Sequence, residues 1–246
     1  MPGQKLKQGS NSNFSKLNNT GNIPNNIDVR YLPSYSVPEA ALYLRLPKST
    51  LRAWIGRQIN FKPLIAPAQE KPLALSFINL IEAYVLASIR REYRLSMNKI
   101  RKGLDFISQM YPSDNPLAEK DFETDGLSLF LRETGLVYDI SRGSGQIVLE
   151  DVVKEYMQRI ERDLHGLPIK LYPFSGTGKP DEPRSILIDP KISFGRPILS
   201  NTSVPVEIIV ERYRAGESMR ELAGDYECNQ EKIEEAIRCR LWEQAA

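Results

Sequence analysis

The first stretch with a structured pattern of apolar and polar positions begins near Tyr31. Ser36 stands before Pro38-Glu39-Ala40-Ala41-Leu42-Tyr43-Leu44, so a hydroxyl falls at the N-cap, with a proline and an acid in the first turn, which predicts a helix start. Leu46-Pro47 interrupts the pattern. From Lys48 to Arg57, Leu51, Trp54 and Ile55 fall at i, i+3 and i+4 and form one apolar face, leaving Lys48, Ser49, Thr50 and Arg52 elsewhere on the helix. Two short helices around a tight turn predict a helix-turn-helix. Apolar runs at 59–65 and 73–75 flank a proline-rich middle and predict two short strands, a wing. Residues 77–93 read as a long helix with Ile78, Ile81, Val85 and Ile89 near one stripe. A further helix is predicted over 96–110, and Arg90, Arg91, Arg94, Lys99, Arg101 and Lys102 cluster at the end of the first and in the second.

The pattern is weaker beyond residue 111. It predicts a helix over about 123–134, a hairpin pairing 136–140 with 146–149 across Arg142-Gly143-Ser144-Gly145, and a helix over 152–164. The run Ser-Gly-Thr-Gly-Lys-Pro-Asp-Glu-Pro-Arg at 175–184 has linker composition. After it come a short strand at 186–188, a possible partner at 197–199, and helices at 206–214 and 219–223. A last helix starts at Asn229 or Gln230, runs to about Trp242, and carries Ile233, Ala236, Ile237 and Leu241 on one stripe. The expected fold is mainly α with short β hairpins: an N-terminal winged helix-turn-helix plus a C-terminal helix-turn-helix-like module. The expected boundaries are a disordered tail at 1–30, with seven Asn between Asn11 and Asn26, the winged module at 31–110, a mixed α/β connecting region at 111–174, the linker at 175–184 and the C-terminal module at 185–246.

Charge sharpens this division. Residues 31–110 hold 12 Lys/Arg against 5 Asp/Glu, whereas 111–246 hold 17 against 25. A basic segment suits a polyanion, because Lys and Arg displace the counterions condensed on phosphates. An acidic remainder suits a basic partner. No apolar run approaches the roughly 20 residues of a membrane span, so no membrane partner is expected, and without an apolar signal core the cytoplasm is the default compartment.

Candidate chemistry is sparse. The chain has a single histidine, His165, placed beside Gly166 at an expected helix end, and two cysteines, Cys228 and Cys239, which cannot assemble a standard zinc site. No phosphate loop or dinucleotide fingerprint occurs, since Gly176-x-Gly178-Lys179 runs into Pro180. No cofactor, metal or catalytic residue is therefore expected. A helix-turn-helix needs polar or basic side chains at the start of its second helix, where they enter the major groove. Lys48, Ser49, Thr50 and Arg52 meet that need. Arg45 lies in the turn, and Arg57 and Lys62 would flank the backbone. The last helix carries Glu231, Glu234 and Glu235, which would repel phosphate, so the C-terminal module is expected to contact protein or to dimerise.

Two stretches resemble known families. Residues 36–110, through Ser36-Val-Pro-Glu-Ala-Ala-Leu, Thr50-Leu-Arg-Ala-Trp-Ile, Leu75-Ser-Phe-Ile-Asn-Leu-Ile-Glu-Ala-Tyr and Leu95-Ser-Met-Asn-Lys-Ile-Arg-Lys-Gly-Leu, resemble the MerR-type winged helix-turn-helix. Residues 184–240, through Asp189-Pro190, Gly195-Arg-Pro-Ile-Leu, Thr202-Ser-Val-Pro-Val, Ala215-Gly-Glu-Ser and Asp225-Tyr226, resemble the bacterial domain-of-unknown-function family 433. That family usually has glycine where Asn201 stands, and asparagine also tolerates a left-handed turn. The combination is similar to a group of large VapB-type antitoxins. The resemblance implies that the chain binds and silences a PIN-like ribonuclease toxin and represses its own operon on double-stranded operator DNA. A homodimer is expected, because helix-turn-helix proteins commonly read paired half-sites. The alternative is a stand-alone MerR-like regulator whose effector pocket would lie in 111–175, where Tyr138, Tyr156, Tyr172 and Phe174 are available.

Overall fold

The computed structural model describes residues 28–56, 62–135, 145–173, 179 and 181–241. A 3-10 turn at Val29–Tyr31 leads into strand β1 (Tyr35–Ser36) and helix α1 (Val37–Tyr43). Ser36 and Glu39 form a reciprocal capping box, satisfying two orphan donors at the helix start. Helix α2 (Lys48–Ile55) buries Leu51, Trp54 and Ile55. Strands β2 (Gln69–Glu70) and β3 (Leu73–Leu75) follow. They complete an antiparallel sheet of order β1-β3-β2, with Tyr35 opposite Leu75 and Gln69 opposite Ala74.

The strand expected at 59–65 is not there in its described part, residues 62–65. Pro63 supplies no ladder donor, and the amides of Leu64 and Ile65 instead donate to the carbonyl of Trp54 at 2.7 and 3.2 Å, closing the chain against the end of α2. The partner of Leu73–Leu75 is Gln69–Glu70, and β1 was not expected at all. Asn79 fixes the approach to this sheet: its amide donates to the Ala66 carbonyl, and its oxygen accepts from the backbone N–H groups of Ala68 and Ser76.

Helix α3 (Phe77–Tyr93) is the axis of the larger core. Every residue from Phe77 to Ile89 is buried, so the helix is enclosed on all sides rather than along one stripe. Helices α4 (Met97–Met110) and α5 (Leu127–Glu133, entered through the π-turn Phe122–Gly126) pack on each other in the same core, and the 3-10 turn Pro116–Ala118 and α6 (Gly145–Met157) lie against α3. Residues 146–149 belong to α6, so the hairpin expected there does not form, and its other arm, 136–140, lies outside the described residues. The apolar positions of 146–157 continue at helical spacing into buried Val153, Tyr156 and Met157, and this longer period overrides the short apolar run 147–149.

The helix expected over 152–164 stops at Met157. Strands β4 (Ile160–Arg162) and β5 (Pro168–Leu171) form a hairpin instead. Asp163 organises its turn by accepting the amides of His165 and Leu167, and Gly166 has a positive φ. His165 is therefore an exposed tip residue and not at a helix end. Arg159, between α6 and β4, is almost completely buried. Its guanidinium donates to the carbonyls of Tyr172, Pro173, Glu182 and Pro183, fastening both ends of the described chain around 175–184.

A second, smaller core belongs to β6 (Ile186–Leu187), β7 (Ile198–Leu199), α7 (Val206–Arg214), α8 (Met219–Asp225) and α9 (Gln230–Leu241). The strands pair antiparallel. Ser218 and Glu221 form the capping box of α8, and Asn229 accepts the Lys232 amide at the start of α9. Asn201 adopts φ 65°, the left-handed turn conformation that the sequence allowed it. The two cores meet where Gly195, at φ +74°, passes Tyr35. A Cβ on Gly195 would stand 2.2 Å from the Tyr35 hydroxyl, so no other residue fits that approach. Beside it, Leu42 and Tyr43 of α1 face Pro197, Val206 and Cys239 across a small apolar cavity. The chain is thus mainly helical, with short antiparallel strand pairs.

Candidate nucleic-acid interface

Helix α1 ends at Leu44. Arg45 takes a left-handed conformation (φ 53°), and the Leu46 amide closes the turn onto the Ala41 carbonyl. Pro47 then occupies the N-cap of α2 and offers no side-chain acceptor to the first-turn amides. Because Leu51, Trp54 and Ile55 are drawn into the core, Lys48, Ser49 and Arg52 emerge together on the solvent face, with Thr50 half-buried at its edge. No acidic residue occurs between Lys48 and Ile55.

The other expected interface residues separate from this group. Arg45 is half-buried. Burial lowers its pKa, and the carboxylates of Glu182 and Glu235 act against that fall, which puts it within electrostatic reach of the C-terminal module. Lys62 is exposed, and its carbonyl accepts from Arg101 of α4 at 2.9 Å. Arg57 lies outside the described residues. Sequence reasoning gave no role to Arg90 and Arg91, which share a cleft of about 270 Å³ with Arg45, Pro47, Thr50 and Trp54. The basic run 90–102 was the visible signal, but only the packing of α3 behind α2 places its first two members there.

The C-terminal module has a different character. Arg212 of α7 reaches Glu217, Asp225 and the Tyr226 hydroxyl, locking the ends of α7 and α8 together. On α9, Arg238 pairs with Glu234 and Glu235, while Glu231 and Glu234 are exposed. Burial pushes the Cys239 thiol up to about 11 and also raises Cys228, so neither is disposed to act as a thiolate nucleophile near neutral pH. Among the described residues no group of three or more His, Cys, Asp or Glu could hold a metal ion, and no helix is long and apolar enough to cross a membrane.

The second core coincides with a known family. Residues 186–238 match the family described as "Protein of unknown function (DUF433)". Beyond that segment, the chain is 28% identical over 238 residues to "Putative antitoxin VapB45" of Mycobacterium tuberculosis, covering 86% of this chain and 95% of that protein. A crystal structure of Rv2018 from Mycobacterium tuberculosis is similar with a TM-score of 0.64 and 25% identity, covering 84% of this chain and 98% of that one. Both likenesses extend far beyond the DUF433 segment.

Proposed function

We propose that this chain is a non-catalytic antitoxin of a type II toxin–antitoxin pair, which neutralises a PIN-like ribonuclease toxin and represses its own operon as a homodimer on DNA. The observation that carries the toxin half is the match to an antitoxin-named relative over nearly the full length of both chains. The DNA half is supported by the exposed Lys48, Ser49 and Arg52 at the start of the second helix of a helix-turn-helix, with β2 and β3 as its wing. Thr50 borders that face. Arg45 lies behind that face, half-buried and within electrostatic reach of Glu182 and Glu235. The segment 31–110 serves as the DNA module. The acidic remainder faces a toxin whose RNA-binding surface is basic, an arrangement that speeds association.

Binding to a duplex from upstream of its own gene tests the DNA half. Arg52→Ala weakens binding by about 1–3 kcal/mol and relaxes sequence preference if Arg52 reads a base. Lys48→Ala weakens all duplexes alike and lowers the salt slope by about 1. If both variants bind every duplex as tightly as the parent, α2 is not the reading helix.

A further inference from the structure

The polar side chains that line the cleft behind α2 can all donate hydrogen bonds. Its polar lining is Arg45 from the turn, Thr50 from α2, and Arg90 and Arg91 from the last turn of α3. Leu46, Pro47, Ala87 and Trp54 form the apolar walls, and no carboxylate of the described residues lines it. Two observations independent of the arginines point to a missing acceptor. Pro47 at the N-cap leaves the first-turn amides of α2 without a side-chain partner, at the positive end of the helix dipole. Trp54 is 1% exposed, and its indole N–H is buried with no hydrogen-bond acceptor among the described residues. An orphaned buried donor is costly, and the residue that carries this one is part of the wall of a cation-rich cleft. Arg90 stands with its guanidinium carbon 6.0 Å from the Trp54 ring centroid, which holds the cation at the mouth of the cleft.

We infer that this cleft between the turn, α2 and the end of α3 is a phosphate-binding site. Phosphate offers several acceptor oxygens in a tetrahedral array, which suits a cleft lined by guanidinium groups and a hydroxyl beside a helix N-terminus better than a single planar carboxylate does. The phosphate has two possible sources. It is a backbone phosphodiester of DNA lying along α2, in which case the inference rests on the DNA reading above, or it is a free phosphate-bearing small molecule, in which case it does not.

The test uses the full-length chain carrying Trp242→Phe, so that Trp54 is the sole indole. Its emission is titrated with sodium phosphate against sodium chloride at matched ionic strength, for this parent and for Arg90→Gln/Arg91→Gln. The salt dependence of binding to a 25-base-pair duplex is measured on the same proteins. Thr50→Val serves as a second variant should the double variant fail to fold. If DNA supplies the phosphate, the double variant lowers the slope of log K against log salt by about 0.9 per phosphate lost. If a free molecule supplies it, inorganic phosphate gives a saturable Trp54 response that the variant abolishes, while the duplex slope is unchanged. Equal Trp54 responses and equal slopes in parent and variants overturn the inference. A parent that binds no duplex but shows the phosphate response defeats the DNA reading and leaves the cleft assignment standing.

Discussion

Replacing Arg159 with methionine lowers the free energy of unfolding by about 2–4 kcal/mol and opens the chain between the two cores. Four carbonyls converge on this guanidinium, two from Tyr172 and Pro173 and two from Glu182 and Pro183, at 2.7 to 3.3 Å. Hydrogen bonds to a charged donor contribute roughly 1.5–3 kcal/mol each, and the carbonyls that stay buried after the change bear a desolvation cost. Methionine fills much of the volume and removes the cost of a buried charge, which burial already expresses as a lowered Arg159 pKa, so the net loss is smaller than the sum of the bonds. Urea unfolding reads the stability change. Trypsin reads the local one: Arg184 is held by the Gln158 carbonyl and stacks on Tyr172, and cleavage after it releases residues 185–246. Arg159→Met should be cut there much faster than the parent under native conditions. An unchanged midpoint and cleavage rate would show that the guanidinium does not hold this crossing.

Glu82 produces the second large effect, and it depends on pH. Its carboxyl is fully enclosed in α3. It accepts from the Asn115 amide at 2.9 Å and the Asn79 amide at 3.4 Å. Burial pushes its pKa up to about 8 from an ordinary value of 4.5. Glu119 and Asp114 push the same way, and the two amides only partly oppose them. The folded state therefore binds a proton that the unfolded state releases. The stability this supplies is fully present below about pH 4.5 and is lost as pH rises through about 8. Glu82→Gln mimics the protonated form and removes the dependence. The stability gap between E82Q and the parent should widen by about 1.4 kcal/mol per pH unit across that window, approaching ~4 kcal/mol in favour of E82Q at pH 8. Chemical denaturation at pH 5, 6.5 and 8 measures it. A gap that stays constant with pH would mean that Glu82 is ionised in the folded chain. Because Asn79 also holds Ala66 and Ala68, ionisation of Glu82 acts next to the residues that fasten the β1-β3-β2 sheet.

Much of the helical framework could be read from local chemistry. The start of α1 is written in Ser36, Pro38 and Glu39, and that of α9 in Asn229, because a cap needs only residues three apart. Lys48, Ser49 and Arg52 reached solvent for the same reason: Leu51, Trp54 and Ile55 set the phase of a short helix. What could not be read depends on distant partners. The buried state of α3 on all faces is a property of the helices packed around it. The apolar run 147–149 was too short to outweigh the helical period that α6 acquires from Val153, Tyr156 and Met157. The end of α6 is set by Arg159, whose acceptors lie 13 to 24 residues further along the chain. The cleft of Arg90 and Arg91 joins groups about 40 residues apart, and the charge of Glu82 gave no hint that it would be buried.

The central claim is that this chain silences a ribonuclease. Tagged full-length protein is captured from its native cell after nuclease treatment, any co-purifying protein is separated under denaturing conditions and refolded, and its cleavage of RNA is measured with and without the added chain. The account predicts a small partner that survives the nuclease step, cleaves RNA alone and is inhibited at stoichiometric addition of the chain. A partner whose RNA cleavage is unaffected by the chain, or recovery of DNA with no protein partner, would contradict it.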